Sequence, residues 1–151
     1  MSEVRDSIDI RAPIGRVFAA VTDPRRNMEW NPNILDVQNV STEVPQEGTT
    51  WRQTTVMMGH PTQLECRIVR YRPPHDGLLE VTGQYEAKIT TTCREVGEST
   101  RVTQILEFAP PGGMLGRMAA NFIKPSLQRE LAAALSRQRD ALENQEAASE
   151  S

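Results

Sequence analysis

The chain has 151 residues, enough for one domain with a real hydrophobic core. Hydrophobic residues make up 38% and charged residues 25%, and the formal net charge of -3 argues against nucleic acid or an anionic membrane as partner, since phosphate binding wants a basic stripe. Cys66 and Cys93 have no histidine at ligand spacing, no apolar run reaches spanning length, and no secretory leader is visible, so the expectation is a cytoplasmic protein with two reduced thiols, no metal, no cofactor and no stable membrane insertion.

The first segment, VRDSIDI, alternates: Val4, Ile8 and Ile10 fall on one side and Arg5, Ser7 and Asp9 on the other, the period of a half-buried strand. Pro13 suits a first helical turn. Ile14, Val17, Phe18 and Val21 then recur at i, i+3, i+4 and i+7, which predicts a short amphipathic helix. Asp23-Pro24 reads as the N-cap and first residue of a second, very short helix, and Asn31-Pro32 ends it, because a residue before proline avoids the helical region. This helix carries Trp30, one of only two tryptophans. Trp30 is expected either to plug one end of the core or to guard the mouth of a cavity.

From Ile34 to Phe108 the pattern is strand-like: ILDVQNVST, TWRQTTVMM, TQLECRIVRY, LLEVTG, QYEAKITTTCRE and TRVTQILEFAP, separated by polar turns. Short strands at such intervals predict an antiparallel meander. The period then changes. PPGG is a breaker, Met114, Leu115, Met118, Phe122 and Ile123 start a helix, Pro125 is expected to kink or break it, and Leu127, Leu131, Leu135 and Leu142 carry an apolar stripe onward. Residues 144–151 are expected to be a disordered acidic tail following a single domain over residues 1–143. An antiparallel sheet with one apolar face must cover it, and only the last helix is large enough to do so; the space between a curved sheet and one helix is a natural ligand cavity.

Strand parity predicts the lining. Tyr85, Ala87, Ile89, Thr91 and Cys93 face inward, as do Leu64, Cys66 and Ile68; Val102, Gln104, Leu106 and Phe108; and Trp51, Gln53, Thr55 and Met57. Met118, Phe122 and Leu127 are expected to point at the sheet. Many of these residues are small, and a curved sheet lined by small side chains leaves volume unfilled. The candidate ligand-binding set is Trp30, Met57, Leu64, Cys66, Tyr85, Ala87, Ile89, Thr91, Gln104, Met118, Phe122 and Leu127. No catalytic pair emerges: His60 and His75 fall in turns, Glu65, Glu86 and Glu107 take the outward parity, the register of Glu80 stays open, and the two thiols are expected to have raised pKa values and low reactivity.

The stretch IDIRAPIGRVFAAVTDPRRNMEWNPNI resembles the amino-terminal signature of the SRPBCC (START-like) superfamily, and most of all its polyketide cyclase/dehydrase branch of bacterial proteins. The matching points are Ile10, Ala12-Pro13, Val17-Phe18, Val21, Asp23-Pro24, Trp30 and Pro32. EGTTW at Glu47–Trp51 and GESTRVTQILEF at Gly97–Phe108 are similar to the family's second and third hallmarks. The resemblance implies an α+β helix-grip fold: a curved seven-stranded antiparallel sheet wrapped around a long C-terminal helix, with two short helices between strands 1 and 2. It leaves function open, since one scaffold carries lipid transfer, sensing, cyclisation and storage. The expected role is binding of a lipid-like or polyketide-like hydrophobic small molecule, by a monomer or weak homodimer. The alternatives are a cyclase or dehydratase working in the same cavity without metal or cofactor, favoured by an inward Glu80 or by an arginine beside Tyr85, and a regulatory protein that meets a partner.

Overall fold

A computed structural model describes residues 2–109 and 113–150, with side chains in the last helix described from Phe122 to Ser149. Seven antiparallel strands form one sheet: β1 (Ser2–Ile10), β2 (Ile34–Gln38), β3 (Thr50–Met57), β4 (His60–Arg72), β5 (Asp76–Gly83), β6 (Glu86–Val96) and β7 (Ser99–Ala109). Their spatial order is β1-β7-β6-β5-β4-β3-β2, so every strand after β1 lies beside its sequence neighbour and β1 closes onto β7. Between β1 and β2 lie α1 (Ile14–Val21), a 3-10 turn (Pro24–Arg26) and α2 (Asn27–Trp30); α3 (Gly113–Glu150) ends the chain.

The pairing register explains why the sheet has two different faces. One row crosses it as Glu3, Glu107, Lys88, Glu80 and Arg67 on successive strands. This is a polar outer face in which opposite charges stand side by side from Glu107 to Arg67. The rows on either side of it run Val4, Leu106, Ile89, Leu79 and Ile68, and Phe108, Ala87, Val81, Cys66 and Trp51. These face the helices. Parity therefore places Glu80 outward, between Arg67 and Lys88.

The apolar face is covered as the periodicity requires. Val17, Phe18, Ala20 and Val21 of α1 are buried with Ile10, Cys93 and Val102 of the sheet and Leu135 and Leu142 of α3. Helix α3 lies along β1 and also meets α2 and β7. Gln128 Nε2 donates to the Arg5 carbonyl at 2.8 Å and Glu143 Oε1 accepts from the Arg11 N–H at 2.9 Å, so α3 side chains occupy backbone groups of the β1 edge that would otherwise be open to another chain.

Local expectations are met at Asp23-Pro24 and Asn31-Pro32 and corrected elsewhere. The first segment after Asp23 is a 3-10 turn followed by one turn of α-helix; the Asp23 side chain accepts from Arg25 N at 3.0 Å, and Asn31, with φ −131 and ψ 100, ends it before Pro32. Strand β2 stops at Gln38 because Asn39 turns to φ 59, shortening the expected strand. The β3–β4 turn is Met58–Gly59, both at positive φ, as a tight hairpin demands, and His60 belongs to β4. Pro125 sits inside α3 without ending it. The helix also continues past residue 143 to Glu150, where Glu146 pairs with Arg16 of α1.

Candidate functional site

Between the inner sheet face, the α1–α2 segment and α3 lies a cavity of about 290 Å³. Its wall is mostly aliphatic and aromatic. Trp30 closes it from α2, Trp51 and Met57 line it from β3, Leu64 and Ile68 from β4, Leu79 and Val81 from β5, and Leu127 and Leu131 from α3. Tyr85, in the β5–β6 turn, joins Ala87, Ile89 and Thr91 of β6 and Gln104 and Leu106 of β7.

Trp30 is 3% exposed and belongs to the main core cluster while also forming part of the cavity wall. Arg26 stacks on its ring, with the guanidinium carbon 5.0 Å from the centroid, and Glu29 fixes that guanidinium through two hydrogen bonds of 2.7 and 3.0 Å. Arg137 Nη1 donates to the Trp30 carbonyl at 3.3 Å, tying α2 to α3. The indole thus packs like a plug and presents one side to the cavity.

The polar groups of the wall form short local networks. Gln53 Oε1 accepts from Asn27 Nδ2 and from Trp51 Nε1, both at 3.2 Å, and Gln53 Nε2 donates to Thr55 Oγ1 at 3.1 Å. Gln104 Nε2 donates to Thr91 Oγ1 at 3.2 Å. Thr22 donates to the Phe18 carbonyl at 2.6 Å and lies 3.1 Å from the Tyr71 hydroxyl. Past the bulge between Ile68 and Arg70, Tyr71 pairs with Gly77 on the inner parity, while Arg70, also a lining residue, pairs with Leu78 on the outer one. Its guanidinium is engaged by Asp76 through contacts of 2.6 and 3.1 Å. Glu130 of α3 is the one carboxylate among the described lining residues, which include no histidine. His60 is exposed at the start of β4, and His75 Nδ1 lies 3.4 Å from the Cys93 carbonyl, away from the cavity.

Of the expected set, Trp30, Met57, Leu64, Tyr85, Ala87, Ile89, Thr91, Gln104 and Leu127 stand in the wall. Cys66 points inward but stays out of it: the short thiol is buried among Trp51, Leu64, Ile68 and Val81. Phe122 is 87% exposed. It precedes Leu127 by five residues, about 140° around the helix, and Ile123 takes the core-facing position instead. The Met118 side chain lies outside the described residues. Burial pushes both thiols up to about 12, with Glu65 adding to the effect at Cys66. Parity reasoning missed Tyr71, which the bulge brings in, Arg70, a lining residue that the bulge pairs on the outer parity, and Gln138, whose position three residues after Leu135 and four before Leu142 marks it as a polar group in an apolar stripe.

A larger groove of about 470 Å³ lies on the surface between α1 and the end of α3. Its charges are matched within the protein, Arg16 with Glu146 and Arg26 with Glu29, so it offers no free charge comparable to a ligand anchor. Among the described residues no helix is long and apolar enough to cross a membrane.

Comparison with known proteins gives a consistent picture. The model of a family described as "Polyketide cyclase / dehydrase and lipid transport" matches residues 1–143. Among solved structures, TTHA0849 from Thermus thermophilus is similar at a TM-score of 0.79 and 18% identity, over 93% of this chain and 97% of that one. A START superfamily protein from Mycobacterium smegmatis is similar at 0.72 and 17%, over 93% and 98%. The Polyketide_cyc-like protein Cgl2372 from Corynebacterium glutamicum is similar at 0.59 and 26%, over 93% and 91%. A comparison with curated proteins found no match.

Proposed function

Because the chain belongs to the polyketide cyclase/dehydrase and lipid transport family, we propose that it binds a hydrophobic small molecule, lipid-like or polyketide-like, in the cavity between sheet and α3. The observation that carries this reading is the wall itself: a cavity of about 290 Å³ bounded by aliphatic and aromatic side chains of β3 to β7, α2 and α3. Such a wall makes removal of apolar surface from water the driving force, with a few amides and hydroxyls to orient the guest. Trp30, Leu64, Tyr85, Ile89 and Leu127 are the proposed contacts for its apolar body, and Met57 an adaptable one.

The cyclase or dehydratase alternative draws less support. Glu80 takes the outer parity, the arginine that reaches the wall is held by Asp76, and the buried thiols stay protonated. General acid–base work needs a titratable pair in reach of one substrate, and the described lining offers a single exposed carboxylate, Glu130. A cytoplasmic setting is part of the proposal, and the two free, buried cysteines fit it.

Native mass spectrometry of gently purified protein, with titration by the neutral dye Nile red, tests binding. A retained small-molecule mass, or saturable dye binding displaced by apolar compounds, is the expected result. A protein that carries no guest and takes up no dye would overturn the reading.

A further inference from the structure

Gln53 stands in the apolar wall with its amide locked in one orientation. The strand register places it opposite Leu64 on the inner face of β3, between Trp51 and Thr55. The indole N–H of Trp51 can only donate, so the Gln53 atom 3.2 Å from it is the amide oxygen. Asn27 Nδ2 donates to the same oxygen at 3.2 Å, which fills both of its lone pairs. The nitrogen is thereby turned the other way, where one N–H donates to Thr55 Oγ1 at 3.1 Å. Turning the amide over would set its nitrogen against the indole N–H, donor against donor, so oxygen and nitrogen are not interchangeable here.

The oxygen has a structural task, tying α2 to β3. The second N–H of Nε2 has none, since it has no acceptor among the described residues. Gln53 is only half-buried and lines the cavity, so the side chain keeps surface that a guest can reach. Beside it, Thr55 Oγ1 is the acceptor in the bond from Gln53, and the hydroxyl hydrogen is not taken up among the described residues. Two spare donors on atoms 3.1 Å apart thus stand among Ile34, Trp51, Met57 and Leu64.

This chemistry restricts what can meet them. A wholly apolar guest would strip water from the amide N–H and offer nothing in return, which costs free energy. A carbonyl oxygen has two lone pairs and brings no hydrogen, so donors alone satisfy it. A hydroxyl brings a hydrogen of its own, and Gln53 Oε1 has no lone pair left to accept it. A carboxylate also accepts, but it would meet no free cation in the described wall, because Arg70 is engaged by Asp76, and it would share that wall with Glu130.

We propose that Gln53 Nε2, with the Thr55 hydroxyl beside it, is the polar recognition point of the cavity, and that the guest is a neutral, mainly apolar molecule bearing a carbonyl group whose oxygen accepts there. The proposal rests on the cavity being a binding site, and its test separates the two claims.

The affinities of 2-acetylnaphthalene and of the isosteric hydrocarbon 2-isopropenylnaphthalene are measured by displacement of Nile red from wild type and from Gln53→Glu. That variant keeps the side-chain shape and the oxygen facing Trp51 and Asn27, and puts an oxygen in place of the N–H donor. The ratio of ketone to hydrocarbon affinity is expected to fall about tenfold in the variant, the worth of one hydrogen bond. A second measurement needs no variant: the carbonyl stretch of the ketone bound to wild type, read by infrared difference spectroscopy, is expected below its frequency in hexane. An unchanged ratio in a variant shown by circular dichroism to be folded, or a stretch at the hexane frequency, would overturn the role of Gln53 and leave the binding site standing. Tighter binding of 1-(2-naphthyl)ethanol or of 2-naphthoate than of the ketone to wild type would overturn the neutral-carbonyl class. Failure of both ketone and hydrocarbon to displace the dye from wild type would overturn the binding reading and the proposal together.

Discussion

Trp30→Ala should be costly for a reason that can be worked through from the packing. The indole is 3% exposed and sits in one cluster with Ile10, Phe18, Val21, Leu135 and Leu142. Truncating a buried tryptophan to alanine typically costs about 3–5 kcal/mol, from lost transfer energy and the void left behind. One side of this indole already faces the cavity, where it has no packing partners to lose, so the lower end, about 3 kcal/mol, applies. The Arg26 stacking adds about 0.5–1 kcal/mol at a partly exposed guanidinium. The Arg137 bond to the Trp30 carbonyl is to backbone and survives the change. For a chain of this size, a total of about 3.5–4 kcal/mol lowers the melting temperature by about 7–16 °C. Urea unfolding followed by circular dichroism, with Trp30→Phe as a partial replacement, measures it. A loss below about 1 kcal/mol, with ligand affinity strongly reduced, would refute the plug and make the indole a gate.

Other substitutions and conditions follow from the same geometry. Phe122→Ser should change stability by less than about 0.5 kcal/mol in thermal unfolding, since the ring is 87% exposed. Glu80→Ala should leave Nile red binding unchanged, because Glu80 stands on the outer face; a marked loss would place it in the site. Cys66 and Cys93 should resist iodoacetamide at pH 8 in the native state and react on unfolding, as read by mass spectrometry. The sign of their pH effect is fixed: the folded thiols ionise near 12 and the unfolded ones near 9, so their contribution to stability is full below pH 9 and is lost as pH rises from there toward 12.

Much of the fold is legible in local pattern because each element carries its own period. In β6 the inward side chains Ala87, Ile89, Thr91 and Cys93 alternate with the charged or polar Glu86, Lys88, Thr90, Thr92 and Arg94, and nothing breaks the period of two. Strand β4 obeys the same rule through Ile68, after which the bulge resets the parity: Tyr71 comes to the inner side, and Arg70, which plain alternation would place inward, pairs with Leu78 on the outer one; a bulge is a pairing property, and the VRY sequence has no alternation to reveal it. Phe122 misleads for a different reason. An aromatic residue at the start of an apolar helix looks like core, but the helix phase set by Leu127, Leu131 and Leu135 selects Ile123. Gln138 carries a readable signal, a polar residue at a stripe position, yet only the packing around it shows that its carbonyl is unpaired.

The most direct measurement fills the cavity. Ala87 lines it beside Val81 and Phe108, so Ala87→Phe directs a ring into the space a guest would use. In a Nile red titration, with melting curves confirming that the variant is folded, wild type should bind saturably and Ala87→Phe at least about tenfold more weakly. Equal affinity in both proteins, or no saturable binding to wild type, would contradict a hydrophobic guest held between the sheet and α3.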